Sequence, residues 1–273
     1  MANRRIIIGE TLGTFIMVLM GCGSVAVTVL FGAHQGLMQV ALVWGIGVTL
    51  AIYATRHLSG AHLNPAVSIA MATTGRLPIH QLPIYLLGQF GGAFLAASLL
   101  YLLFAPSILA FEQANDIARG APESVRTAMI FGEFYPNPGM SPHIKLSLPL
   151  AMAAEFVGTL LLVLIIFLLT DERNIGRPDA NVAPLFIGLT VTLIICLIAP
   201  LTQAGLNPAR DLAPRLLTMM MGWGSAALPD QVGGFFWVYV AAPIMGGVTA
   251  SVLFTRIMLP CMNQCSVTSK RRL

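Results

Sequence analysis

The stretch Ser59-Gly-Ala-His-Leu-Asn-Pro-Ala-Val67 contains an Asn-Pro-Ala triplet that occurs again in Thr202-Gln-Ala-Gly-Leu-Asn-Pro-Ala-Arg-Asp211. Asparagine is a good helix cap, and proline is favoured at the first helical position, where its missing N–H has no bond to lose. Each triplet therefore predicts the start of a helix. The apolar stretches that follow, 67–72 and 212–221, are too short to cross a bilayer. We expect two half-helices.

The rest of the sequence is typical of a membrane protein. Hydrophobic residues make up 56% of it and charged residues only 10%, against about 25% charged in a soluble domain. Six continuous apolar runs approach the roughly 20 residues that a spanning helix needs, and they lie at 11–31, 37–55, 83–105, 148–169, 182–200 and 234–255. Continuous runs favour helices over barrel strands, which alternate. The predicted fold is an all-α membrane protein with six transmembrane helices and two re-entrant half-helices.

The two halves of the chain carry the same signals in the same order. Glu10 and Gly13 in the first run match Glu155 and Gly158 in the fourth, and an Asn-Pro-Ala triplet follows each pair at nearly the same spacing. Because each half has three spans, the second half must be inverted relative to the first. We expect one transmembrane domain over 1–273, whose parts are inverted repeats at about 6–105 and 148–258, an external loop 106–147 and a cytoplasmic tail 259–273.

Basic residues indicate the orientation. With six alternating spans, one side collects Arg4, Arg5, Arg56, Arg76, Arg173, Arg177, Lys270, Arg271 and Arg272. The positive-inside rule then places both termini in the cytoplasm, in a multi-pass protein of a bacterial inner or plasma membrane. This bias accounts for the net charge of +4, so no nucleic-acid partner is expected.

Two half-helices that enter from opposite faces should meet near the midplane and form a pore. Asn64 and Asn207 would accept half-helix N–H groups through their oxygens and turn their NH2 groups toward the lumen. The positive ends of both half-helices would face the same point and disfavour cations and an unbroken proton chain. Arg210 lies at membrane depth, where an arginine is usually functional. It would offer donors to a hydroxyl-bearing solute and repel cations; the alternative is a structural arginine paired with Asp211 or with a carbonyl.

Other polar residues are predicted to support this pore. Glu10 and Glu155 would accept backbone N–H groups of the re-entrant segments, and His62 would fix a loop rather than bind a metal. The four cysteines have no metal or redox spacing, so neither a metal nor another cofactor is expected. Cys261 and Cys265 are expected to be unmodified, with palmitoylation as the alternative.

The paired segments resemble the two signature segments of the major intrinsic protein family, and the resemblance covers essentially 6–258. It implies pore motifs at Asn64, Pro65, Ala66, Asn207, Pro208 and Ala209. It also implies a homotetramer in which each subunit has its own pore, and a supporting role for Asp211. By position, the narrow selectivity filter would consist of Trp44, Ile195, Ala204 and Arg210.

The filter residues indicate which solutes the pore admits. Water-selective relatives usually have histidine where this chain has Ile195, and Asp211 with Arg215 resembles the glycerol branch. The chain departs from glycerol facilitators, which commonly have Gly and Phe at the positions of Ile195 and Ala204, and its filter set is closest to plant nodulin-like channels. We therefore expect a passive channel for small uncharged solutes, mainly glycerol and similar polyols or metalloid acids, with water. A water-selective pore is the alternative.

Two other classes of protein compete with a channel. An inverted-repeat secondary transporter would need a titratable group facing the path, and the only candidates, Glu10, Glu155 and Asp211, each have a structural explanation. An enzyme would need a nucleophile–base pair or a metal cluster, and none stands out in the sequence. The protein is therefore expected not to be an enzyme.

Overall fold

The computed structural model describes residues 2–34, 36–140, 145–228 and 234–263, and within these ranges every regular element is a helix. The helices are α1 (Ala2–Phe31), α2 (Leu37–Ser59), α3 (Pro65–Thr73), α4 (Leu82–Ala114), α5 (Val125–Ala128), α6 (Leu148–Thr170), α7 (Ala183–Thr202), α8 (Pro208–Thr218), α9 (Gly234–Phe236) and α10 (Ala242–Leu253). Wider π-helical turns join α9 to α10 and continue beyond α10, so that one span covers Gly234–Asn263.

The predicted fold class is confirmed. Six helical segments of the described chain are long and apolar enough to cross a membrane. The short helices α3 and α8 each begin at the proline of an Asn-Pro-Ala triplet. Each of these short helices packs against the last span of the opposite half: α3 packs against α10, and α8 packs against α4.

The inverted repeat is visible in the packing. Helix α1 packs mainly against α2 and α4, and its counterpart α6 packs mainly against α7 and α10. The two halves meet where α2 crosses α7. The half-helices and this crossing together join the repeats into one helical body.

Two glycines allow the close crossing of α2 and α7. A Cβ added at Gly45 would lie 2.5 Å from the carbonyl oxygen of Gly188, and one added at Gly188 would lie 2.3 Å from that of Gly45. Thr49 donates to the Gly45 carbonyl at 3.0 Å and Thr192 to the Gly188 carbonyl at 3.2 Å. Each threonine also donates to a carbonyl of the opposite helix, at 3.3 and 3.1 Å. The crossing is therefore symmetric in both its contacts and its hydrogen bonds.

Helix α4 is longer than the apolar run 83–105 predicts. It continues past Pro106 to Ala114, so the first part of the predicted loop 106–147 is helical. Glu112, in the last turn, is only 3% exposed, and its carboxylate accepts bonds from Arg119 and Thr127, both at 2.8 Å. These bonds to the following connection hold the extra turns in place.

The predicted tail 259–273 is only partly described. The sixth span continues as helix to Asn263, and Cys261 is an exposed free cysteine. Cys265 and the basic cluster 270–272 lie outside the described residues.

Candidate functional site

The two asparagines of the triplets cap the half-helices with their side-chain oxygens. Asn64 Oδ1 accepts the N–H of Ala66 at 2.8 Å. Asn207 Oδ1 accepts the N–H groups of Ala209 at 3.0 Å and Arg210 at 3.3 Å. The oxygens thus satisfy N–H groups that have no partner inside the helix.

The NH2 groups of the same asparagines link the two halves. Asn64 Nδ2 donates to the carbonyl of Leu206 at 2.9 Å, and Asn207 Nδ2 donates to the carbonyl of Leu63 at 2.7 Å. A primary amide carries two N–H donors, so each cross-link uses half of its donor capacity. The sequence motif predicts donors that face the lumen, but it does not predict these reciprocal bonds.

The backbone before each triplet has the same unusual conformation. Ala61 and Leu63 have φ of +54°, and the equivalent Ala204 and Leu206 have φ of +63° and +57°. Left-handed backbone is uncommon for residues with a side chain and persists only when its surroundings hold it.

Glu10 holds the first strained segment. Its Oε1 accepts the N–H of His62 at 3.0 Å and the hydroxyl of Ser59 at 2.6 Å. Its Oε2 accepts the N–H of Leu63 and the amide of Gln89, both at 2.7 Å. The carboxylate is completely buried, so its stabilisation depends on these four donors.

Glu155 does the same for the second segment. Its Oε1 accepts the hydroxyl of Thr202 at 2.6 Å and the N–H of Gly205 at 2.8 Å, and its Oε2 accepts the N–H of Leu206 at 2.7 Å. The structure thus places both glutamates against the re-entrant backbone rather than along a path for protons.

His62 is held within the first re-entrant segment. Its Nδ1 lies 3.2 Å from the hydroxyl of Ser68, and its ring packs on Tyr85 with centroids 4.6 Å apart. Among the described residues there is no group of three or more His, Cys, Asp or Glu that could hold a metal ion.

Two cavities extend into the molecule from opposite sides. One cavity, of about 340 Å³, opens on the side of the molecule where the described part of the chain begins and ends, and is called the termini-side cavity. It is lined by both triplet asparagines and by the segments Gly60–Leu63 and Ala204–Leu206. The loop-side cavity, of about 610 Å³, opens between α1, α2, α7 and the connection that follows α5. Three residues line both cavities: Trp44, Ile195 and Arg210. The fourth predicted filter residue, Ala204, lines the termini-side cavity alone.

Arg210 is bound on two sides where the cavities meet. Its guanidinium carbon lies 4.1 Å from the centre of the Trp44 ring, and the group forms an ion pair with the carboxylate of Glu133. Arg210 is therefore not paired with Asp211, the acidic partner that the sequence offered as an alternative. Asp211 instead binds Arg215, with 2.5 Å between Oδ1 and Nη2.

Two further residues of the site, Glu133 and Asn137, lie in the connection after α5, and their roles were not predicted from the sequence, although the segment 135–138 that contains Asn137 resembles the glycerol branch of the family. Asn137 fastens this connection to the end of α7, since its Nδ2 donates to the Ala199 carbonyl at 2.7 Å and its N–H to the Leu201 carbonyl at 3.1 Å. The signal for Glu133 was present in the sequence: it is one acid within an otherwise apolar stretch, 128–135. An acid there implies a buried partner.

With this geometry established, comparison with known proteins identifies the family. The model of the major intrinsic protein family matches residues 1–254. The chain belongs to this family. Members are transporters rather than enzymes, and the six apolar helices agree with a multi-pass integral membrane protein.

Individual members of the major intrinsic protein family are similar along most of the chain. The glycerol uptake facilitator protein of Pseudomonas aeruginosa is 41% identical over 88% of this chain and 83% of its own length. That of Haemophilus influenzae is 39% identical over 94% of this chain and 96% of its own. The X-ray structure of the aquaglyceroporin from Plasmodium falciparum superimposes with a TM-score of 0.81 at 27% identity, covering 96% of this chain and 99% of that one. The resemblance found in the sequence is confirmed.

Proposed function

We propose that this major intrinsic protein is a passive pore for glycerol and similar small polyols or metalloid acids, together with water. The observation that carries the proposal is the set Trp44, Ile195 and Arg210 at the junction of the two cavities. An aromatic ring and an aliphatic side chain offer apolar contact to a carbon backbone. A guanidinium offers N–H donors to hydroxyl groups. A polyol has both kinds of surface.

The termini-side cavity supports the same solute class. Its lining includes both asparagine amides and the two re-entrant segments. In this proposal, one N–H of each amide and the carbonyls of these segments replace the water molecules that a hydroxyl group loses on entering. The names of the two bacterial relatives, both glycerol uptake facilitators, support glycerol as the first solute to test.

The transport step in this proposal needs neither a coupling ion nor catalysis. The bonds of Asn64 and Asn207 to the opposite half favour a fixed pore over halves that rock against each other. Glu10 and Glu155 are occupied by backbone and side-chain donors, which favours a structural role over proton transfer.

Assembly and orientation complete the proposal. We infer a homotetramer from the resemblance, which implies four subunits with one pore in each. The cavities and the proposed filter lie within one chain, which supports the part of this inference that gives each subunit its own pore. The bias of basic residues supports cytoplasmic termini, and the bacterial relatives support an inner membrane.

The test is stopped-flow light scattering on proteoliposomes that contain the purified protein. We expect glycerol flux far above that of protein-free vesicles, water flux alongside it, and less flux for urea and a longer polyol. Glycerol flux should rise in proportion to its gradient and should not respond to a proton or sodium gradient. Saturation together with a response to either ion gradient would instead indicate a coupled transporter, and water flux without glycerol flux would indicate a water-selective pore.

A further inference from the structure

Glu133 places an acid beside Arg210 at the junction of the two cavities. Its side chain is only 4% exposed, as is that of Arg210, and the two form an ion pair. Glu133 lines the loop-side cavity together with Trp44 and Arg210. A solute that enters from this side therefore meets a carboxylate and a guanidinium together, not an isolated cation.

The backbone around Glu133 is fixed by buried partners. Its N–H donates to Asp211 Oδ1 at 2.8 Å, and its carbonyl accepts Arg215 Nη2 at 2.6 Å. The next N–H, of Phe134, donates to Gln203 Oε1 at 2.8 Å. Because Asp211 and Arg215 are also paired with each other, the position of the Glu133 carboxylate is set by the same helix that carries Arg210.

The pairing changes the electrostatics of the junction. An unpaired guanidinium in a narrow, weakly polar passage attracts small anions as strongly as it repels cations. A carboxylate in contact with it cancels the net charge, so the pair attracts neither sign. The guanidinium has five N–H donors, more than one carboxylate can use, so donors remain for uncharged hydroxyl groups.

We propose that Glu133 is a specificity-determining residue that neutralises Arg210 and so keeps small inorganic anions out of the pore. This inference rests on the proposed function, because it assigns to Glu133 the restriction of the same pore to uncharged solutes. It adds a residue of the long connection to the four that the resemblance implies.

The test compares wild type with Glu133→Gln in proteoliposomes, with nitrate as the probe. Glutamine keeps the size and one acceptor oxygen but removes the charge. Glycerol flux is measured in potassium gluconate and in potassium nitrate at equal ionic strength, since gluconate is too large to enter. Nitrate uptake is followed in parallel with an anion-sensitive dye trapped in the vesicles.

We expect nitrate to leave the wild type unaffected and to act on Glu133→Gln, either by crossing the pore or by lowering glycerol flux several-fold. Both results report an anion at Arg210. The control Glu123→Gln removes an exposed acid of the same connection and should behave as wild type. Glu133→Asp, which keeps the charge, should also exclude nitrate.

Glu133→Ser serves as a second neutral variant. If both neutral variants conduct glycerol and nitrate neither crosses nor inhibits, the proposal is overturned. Failure of both to insert while Glu133→Asp inserts would also overturn it, because Glu133 would then be a folding residue. A wild type that does not conduct glycerol would refute the proposed function instead, and the nitrate-uptake arm would still report on Glu133.

Discussion

At the scale of single residues, Ile195 and Arg210 divide the proposed filter between apolar contact and hydrogen bonding. Ile195 is 4% exposed and lines both cavities. A solute passing this point must give up part of its hydration, and an apolar side chain offers no donor or acceptor in exchange. A solute that has apolar carbon surface therefore loses less free energy at this contact than a solute that has none.

Replacing Ile195 with histidine should therefore lower the ratio of glycerol to water permeability. The ring narrows the junction and adds polar atoms that bind water. A misfit of one group is worth on the order of 1–3 kcal/mol, which corresponds to roughly fivefold to 150-fold in relative flux. The measurement is the permeability ratio in vesicles, normalised to inserted protein. Ile195→Val, which keeps an apolar wall, is the control and should leave the ratio near wild type. An unchanged ratio in Ile195→His would mean that Ile195 does not form the constriction.

The residues of the site differ in how far sequence could predict them. The positions of Asn64 and Asn207 follow from a motif whose local chemistry, a cap followed by proline, is the same wherever it occurs. The partner of Arg210 does not follow, because Glu133 is 77 positions away (210 − 133) in a connection without periodicity. Only the tertiary fold brings that carboxylate to the junction.

At the scale of helices, α2 and α7 can cross closely because Gly45 and Gly188 have no side chain at the point of contact. Thr49 and Thr192 place hydrogen bonds across a contact in which backbone faces backbone. Small residues permit such close approach in membranes, where association depends on packing and not on the exclusion of water. Since α2 carries Trp44 and α7 carries Ile195, the crossing also sets the distance between these two walls of the proposed filter.

Gly45→Ala should therefore destabilise the protein and reduce its flux. The added methyl would lie 2.0 Å from the Thr192 hydroxyl and 2.5 Å from a carbonyl oxygen, so the helices must separate, at about 1–3 kcal/mol or more. Thermal unfolding in detergent and stopped-flow flux measure the two effects. The matched control is Gly91→Ala in α4, where an added Cβ would meet nothing within 4 Å. That variant should be as stable as wild type, or more stable by about 0.5–1 kcal/mol from its helix propensity. Equal stability of both variants would contradict the role given to the crossing.

The presence of each spanning helix could be predicted from the sequence more easily than the residue at which it ends. The apolar runs identify all six spans, but α4 continues through Pro106 because buried Glu112 binds residues of the following connection. Proline in a helix interior normally ends or bends it. Tertiary bonds that form only in the folded chain outweigh that local preference here.

At the scale of the whole molecule, an ion pair joins the two halves on the side of the termini. Arg76, which follows α3, binds Asp171, which follows α6. The Arg76 guanidinium also lies over the rings of Phe167 and Phe254, at 4.7 and 4.9 Å from their centres. Arg173 adds two bonds to the same carboxylate, both of 2.8 Å. The bonds from Arg173, followed by the charge of Arg76, hold the pKa of Asp171 well below its ordinary value.

This shift predicts an acid-sensitive contribution to stability. A carboxylate whose pKa is lowered by folding stabilises the protein above its unfolded pKa of about 3.9 and loses that effect as the pH falls toward the folded pKa. Asp171→Asn should therefore unfold at a lower temperature than wild type at about pH 7, and the difference should shrink below about pH 4. Thermal unfolding in detergent across this range is the measurement. Asp179→Asn, at an exposed position of the same connection, should show no such difference, and a gap for Asp171→Asn that does not narrow at all between about pH 7 and about pH 3 would refute the assignment.

The reciprocal bonds of the two asparagines have a consequence for biosynthesis. Asn64 is 142 residues from its acceptor on Leu206, and Asn207 is 144 residues from its acceptor on Leu63. When the ribosome has completed the first three spans, the first half-helix has its cap but neither of these bonds, and the helix α10 against which it packs has not been made. The first half on its own therefore has an unfinished pore wall. Its final closure must wait for the second half, so the pore is assembled after translation of both repeats and not one repeat at a time.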